Sequence, residues 1–239
     1  MKILAFESSA KAASVALTED GVVLGESFLN NGKTHSATLM PMAERLLADC
    51  GVTAKDLDVV AVAMGPGSFT GVRIGVAAAK GLAWAAEKPC CGVSTLEAMA
   101  HQMLQNRGII CPVMDARRQQ VYNALFSSDG TALKRLTADR AISLEELKKE
   151  LENEEKLIFL VGDGSKLCYN TLKPNLPGLV FPPSHLEFQR ACGVAAAAYP
   201  LCLQGKTTSP DALTPNYLRL SQAERERLEK QSLKLKGDS

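Results

Sequence analysis

The stretch from Gly65 to Gly75, Gly-Pro-Gly-Ser-Phe-Thr-Gly-Val-Arg-Ile-Gly, constrains the fold of this chain more than any other segment. It leaves a short β-branched and alanine run, Val59 to Met64, and opens a long apolar stretch reaching Ala86. A strand of that length followed by a turn and a helix belongs to an α/β architecture. Glycine allows tight turns and close backbone approach, and the first N–H groups of a helix attract anions. Neither familiar phosphate-loop pattern is met. The P-loop needs Lys followed by Ser or Thr after its last glycine, where Val72-Arg73 stands, and Thr70 takes the third glycine position of the dinucleotide fingerprint.

A second pattern is a repeat. Ile3 to Glu7 reads as a strand ending in a carboxylate, followed by a strand Ala13 to Leu17, an Asp20-Gly21 turn and a strand Val22 to Phe28. Cys111 to Asp115, Gln120 to Phe126, the turn Asp129-Gly130 and a strand from Thr131 repeat that order. Two similar lobes follow, 1–107 and 108–220, with a charged tail at 221–239 that reads as a solvated helix, a disordered segment or a basic arm. Helices are expected at Ser36 to Asp49, with Ser36 as cap, at Ser68 to Ala86, Thr95 to Gln105, Ser143 to Asn153 and Gln189 to Leu203.

A formal net charge of +1 excludes a global field for nucleic acid or anionic membrane. With Glu7 interrupting the first apolar run and no stretch of spanning length, the expected setting is the cytoplasm. The seven cysteines lack a Cys-x-x-Cys spacing and read as reduced, buried thiols.

Glu7, Asp115 and Asp163, the last within Gly162-Asp163-Gly164, could face one cleft and hold a metal–nucleotide complex, or could cap turns locally. No metal site is read from the three histidines, and no nucleophile–base pair supports a peptidase. The helix after the glycine loop carries only Arg73 and Lys80 as charges. It has one apolar face of Val72, Val76, Ala79 and Ala83 and another of Ile74, Ala78, Gly81 and Ala85. Two apolar stripes suggest that one meets a partner. The expected interface is Val72, Val76, Ala79 and Ala83, joined by Met40, Ala43 and Leu47 of the preceding helix.

The glycine loop, Ala79-Lys80-Gly81-Leu82-Ala83, His35-Ser36-x-x-Leu39-x-Pro41 and Pro215-x-Tyr217-Leu218-Arg219 together resemble the bacterial TsaB (YeaZ) family, whose members serve the synthesis of threonylcarbamoyladenosine in tRNA. The resemblance implies an actin/sugar-kinase/heat-shock fold and a non-catalytic subunit. That subunit dimerises with a paralogous catalytic transferase, engages a small ATPase subunit, self-associates as a homodimer when isolated and meets tRNA only indirectly. In the paralogue a His-x-x-x-His metal pair follows the related helix; Thr95 and Met99 stand there instead, so neither catalytic residues nor a metal are expected. Any ATP or ADP affinity is expected to be weak. The competing reading is an ATP-dependent small-molecule kinase of the same fold using Glu7, Asp115 and Asp163.

Overall fold

The computed structural model describes residues 1–219; the charged tail lies outside the described residues. The first sheet has the order β3-β2-β1-β4-β5, from β1 (Lys2–Glu7), β2 (Ala13–Glu19), β3 (Val22–Leu29), β4 (Val59–Ala63) and β5 (Cys90–Val93). β1 to β3 form an antiparallel meander, while β4 and β5 add in parallel beside β1. The turn Asp20-Gly21 has both φ values positive, at 50 and 81°, as a two-residue hairpin with matching twist requires.

The second sheet repeats this plan in the order β10-β7-β6-β11-β12, from β6 (Gly108–Asp115), β7 (Gln120–Asn123), β10 (Arg140–Ser143), β11 (Ile158–Val161) and β12 (Leu179–Val180). Helices recur at equivalent places: α1 (His35–Asp49), α2 (Phe69–Ala86) and α3 (Thr95–Gln102), then α4 (Leu144–Leu151), α5 (Ser165–Leu172) and α6 (Ala191–Leu203). This duplicated order is that of the actin/sugar-kinase/heat-shock fold. The expected strand Gln120 to Phe126 is instead broken: β7 pairs with the end of β6, whereas β8 (Phe126–Ser128) pairs with its start and with β9 (Leu133–Arg135). The buried Asn123 amide, bonded to the Pro112 and Ala124 carbonyls, marks the break.

The core explains the layering. α1 and α2 cover one face of the first sheet, bringing Leu39, Leu46, Val72 and Val76 onto Leu4, Val15 and Val60. α6 covers the other face through Ala191, Val194 and Ala198. The stretch 108–220 therefore does not stay within the second lobe, because the alanine-rich α6 and the segment after it pack on the first sheet. α3 lies between the lobes, with Ala98 against the α6 layer and Leu96, Met99 and Met103 against β6, β8 and β11. Small side chains on α6 let it lie close to strands whose inward residues are also small, Ala5, Ala16 and Ala61.

Candidate functional site

A cleft of about 570 Å³ opens where the ends of β1 and β6 face one another across the lobes. Ser9 and Lys11 from the β1–β2 turn, the first turn of α2, Asp115 at the end of β6 with Arg117 after it, and Asp163 after β11 form its walls. The strand ends converge because the repeat places both carboxylate-terminated strands at the centres of their sheets.

The three acids sit in different surroundings. Glu7 is fully buried, which pushes its carboxyl up to about 7, against the opposing effect of the Ser9 backbone N–H. Ser9 N–H donates to Glu7 Oε1 at 2.6 Å, while Glu7 Oε2 and the buried Ser9 Oγ have no partner among the described residues. Asp163 lies on the cleft wall, and burial raises its pKa; Gln189 Nε2 donates to its Oδ1 at 2.9 Å. Asp115 is exposed and accepts from Arg117 N–H at 2.7 Å, a local turn bond. Asp115 and Asp163 thus share the cleft, but Glu7 does not open onto it. Gly162 and Gly164 are also absent from its lining: both are packed against the backbone of Val113 to Asp115, where a Cβ would collide at Gly162 and be tight at Gly164. Their presence fits close strand–loop approach at this turn.

The same physics explains the opening glycine motif. Gly71 and Gly75, one turn apart on α2, face Ser8, and a Cβ on either would strike it. Ser8 Oγ donates to the Gly71 carbonyl at 2.9 Å, and Ser68 N–H donates to the Ser9 carbonyl at 2.7 Å. Ser68 caps α2 through the Gly71 N–H, as its position predicts. Ser36 is not a cap: α1 begins one residue earlier, and His35 Nε2 lies 2.7 Å from the Ala10 carbonyl, tying that helix to the same turn.

A segment that pattern reading valued only as a motif completes the site. Lys80 Nζ donates to the Asp211 and Leu213 carbonyls, and Asn216 N–H donates to the Met64 carbonyl at 2.7 Å. Tyr217 then stacks on Phe69 with centroids 4.4 Å apart, and its hydroxyl accepts from Arg73 Nε at 2.7 Å. Arg219 crosses to the second lobe, donating to the Ala116 carbonyl and Gln120 Oε1 and lying 5.6 Å over Tyr122. Tyr122, Phe69 and Arg219 are cleft residues that the sequence reading did not assign; the Pro215 to Arg219 motif was their signal.

The expected partner face requires a larger correction. Ala43, Leu47, Val72, Val76, Ala79 and Ala83 are buried in the first lobe's own core, and of the seven residues only Met40 is exposed. The outward side of α2 is the other apolar stripe: Ile74 and Ala78 are half-buried, while Ala77, Gly81 and Ala85 are exposed and Trp84 is 74% exposed. Thr95 and Met99 are both buried, Met99 inside the cluster between α3 and the second sheet. Among the described residues no helix is long and apolar enough to cross a membrane.

Comparison with known proteins adds four findings. A family model described as TsaD, tRNA N6-adenosine threonylcarbamoyltransferase, matches residues 23–223. The tRNA threonylcarbamoyladenosine biosynthesis protein TsaB of Bacillus subtilis is 34% identical over 97% of this chain and 100% of its own length. Its Escherichia coli namesake is 32% identical over 92% of this chain and 95% of its own. Among solved structures, YeaZ from Pseudomonas aeruginosa superposes with a TM-score of 0.77 at 25% identity, covering 91% of this chain and 99% of that one.

Proposed function

The chain belongs to the TsaB family and serves tRNA threonylcarbamoyladenosine biosynthesis, and from that premise we propose that it is a non-catalytic subunit that docks on a TsaD-type catalytic paralogue. The outward stripe of α2 carries this reading. A surface helix that presents Ile74, Ala77, Ala78, Gly81 and Ala85 beside an exposed Trp84 has the small, apolar relief on which a second helix can seat closely. Met40 on the neighbouring α1 adds to that surface.

The non-catalytic assignment is supported by Thr95 and Met99. Their places on α3 would be those of the paralogue's two metal-binding histidines, and a neutral hydroxyl and a thioether do not replace two imidazoles around a borderline ion. Met99 instead fills the space beneath Gly162. Adenine nucleotide would find little to hold it: the Ser68, Gly71 and Val72 N–H groups are taken by Ser9 and Ser68, and the Gly162 and Gly164 N–H groups donate to the Glu187 and Val113 carbonyls. Weak nucleotide affinity, a small ATPase subunit as further partner and self-association of the isolated chain through the same α2 face complete the proposal.

The test is capture of the catalytic paralogue by Gly81→Glu. No atom lies within 4 Å of a Cβ built at Gly81, so the variant folds, yet it carries an unpaired charge into the docked surface. Capture should fall at least tenfold, together with tRNA modification in a reconstituted assay. Undiminished capture would remove α2 from the interface, and modification by the isolated chain would overturn the non-catalytic role.

A further inference from the structure

The cleft mouth carries a feature that docking on a protein subunit does not use. Arg73, Tyr217, Phe69, Arg219 and Tyr122 form one contiguous ridge across both lobes, and it runs on to the turn holding Arg117 and Arg118. Arg73, Arg117, Arg118 and the nearby Lys11 are exposed, as is Tyr217 at 38%. Among the described residues none of these four cations, nor Arg219, forms an ion pair. The two acids on the cleft lining do not neutralise the ridge by ion pairing: Asp115 accepts from a backbone N–H and Asp163 from Gln189.

The turn itself is unusual. Arg117, Arg118 and Gln119 are consecutive non-glycine residues with φ of 63, 54 and 57°, a left-handed run that side chains disfavour. Such backbone is retained only where the surroundings hold it. Here Gln120 N–H donates to the Arg117 carbonyl, and Arg219 grips the Ala116 carbonyl from the other side. The result is two exposed arginines on one turn, with Arg117 on the wall of the cleft that Phe69 and Tyr122 also line.

We propose that this ridge contacts the tRNA directly, with the arginines on phosphates and the Tyr217–Phe69 pair beside unstacked bases. Guanidinium groups match phosphate geometry, and aromatic faces interleaved with cations suit single-stranded loops rather than duplex. The chain's overall charge of +1 does not oppose this, since recognition depends on the local field. The inference rests on the chain's place in tRNA threonylcarbamoyladenosine biosynthesis, but not on the docking face of α2.

The experiment measures binding of the full chain, alone and assembled with the catalytic paralogue, to an unmodified substrate tRNA transcript, its anticodon stem-loop and a blunt RNA duplex of equal length. The double variant Arg117→Ala/Arg118→Ala should weaken stem-loop binding at least tenfold and reduce the salt slope of log K by about 1.5, the loss expected for two phosphate contacts. Arg117→Lys/Arg118→Lys should restore most of that affinity, and the duplex should bind more weakly than the stem-loop. Unchanged tRNA affinity and slope in a folded alanine variant would overturn the proposal. So would loss of paralogue capture with tRNA binding intact, which would make the ridge a protein contact. Lost tRNA binding with capture retained supports the ridge whatever the fate of the α2 face.

Discussion

At the scale of single residues, burial decides what a carboxylate can do. Glu7 holds its proton up to about pH 7 in the folded chain, against 4.5 for the unperturbed group, because burial penalises the anion more than the Ser9 N–H stabilises it. The folded state binds the extra proton between those values. Its contribution to stability is therefore complete below pH 4.5 and is lost as pH rises through 7, a difference of about 3 kcal/mol. Glu7→Gln should flatten this dependence and be the more stable protein at pH 8; urea melts at pH 5 and pH 8 measure both, and a parallel pH dependence in the variant would refute it. The sequence announced an acid at the end of β1 but not its burial, since that depends on tertiary packing around the strand end, where Glu7 pairs with Ser14 of β2. Ser68 was legible as a cap because capping is local. The close packing of Gly162 and Gly164 was not legible, because a glycine spared for a ligand and one spared for a neighbouring backbone look alike in one dimension.

Among the elements, α2 shows where periodicity runs out. A period of 3.6 residues identifies two apolar stripes but cannot say which meets the sheet, because both are apolar. The structure buries Val76 to 4% exposure and leaves Gly81 in open space. Opposite stability effects follow from one kind of substitution. Val76→Asp places an unpaired charge in the lobe core and should cost about 4 kcal/mol. Gly81→Glu replaces a poor helix former on the surface and should add about 0.5 kcal/mol. Thermal melts of the pair decide the matter, and an equal loss in both would mean that α2 is rotated relative to this account. α5 was missed for a related reason: SKLCYNTL is eight residues with three buried, too short and mixed a segment to show a period. β12, at two residues, had still less to show. α4 was readable because Ser143 and Glu146 form a reciprocal capping box just before its leucines.

Across the whole molecule, the duplicated strand order could be inferred from two Asp-Gly turns and two acid-ended strands, but the return of the chain could not. Nothing local in the alanine-rich α6 says that it crosses back to the first sheet; only the matching small residues on β1, β2 and β4 make that face fit. Because α3 and α6 pack on each other and reach both sheets, the lobes share one interior layer rather than meeting at a detachable boundary. Met99 lies in that layer at 1% exposure, packed with Ile110, Phe126 and Val161 of the second lobe. Met99→Ala would leave a cavity costing about 2–5 kcal/mol. If the layer is truly shared, the loss should not be confined to the lobe whose sheet Met99 touches. Hydrogen exchange should show protection falling by the same factor in β1 and β6, with a single unfolding transition retained. A drop in β6 alone, or a melt that splits into two steps, would show that the lobes unfold independently.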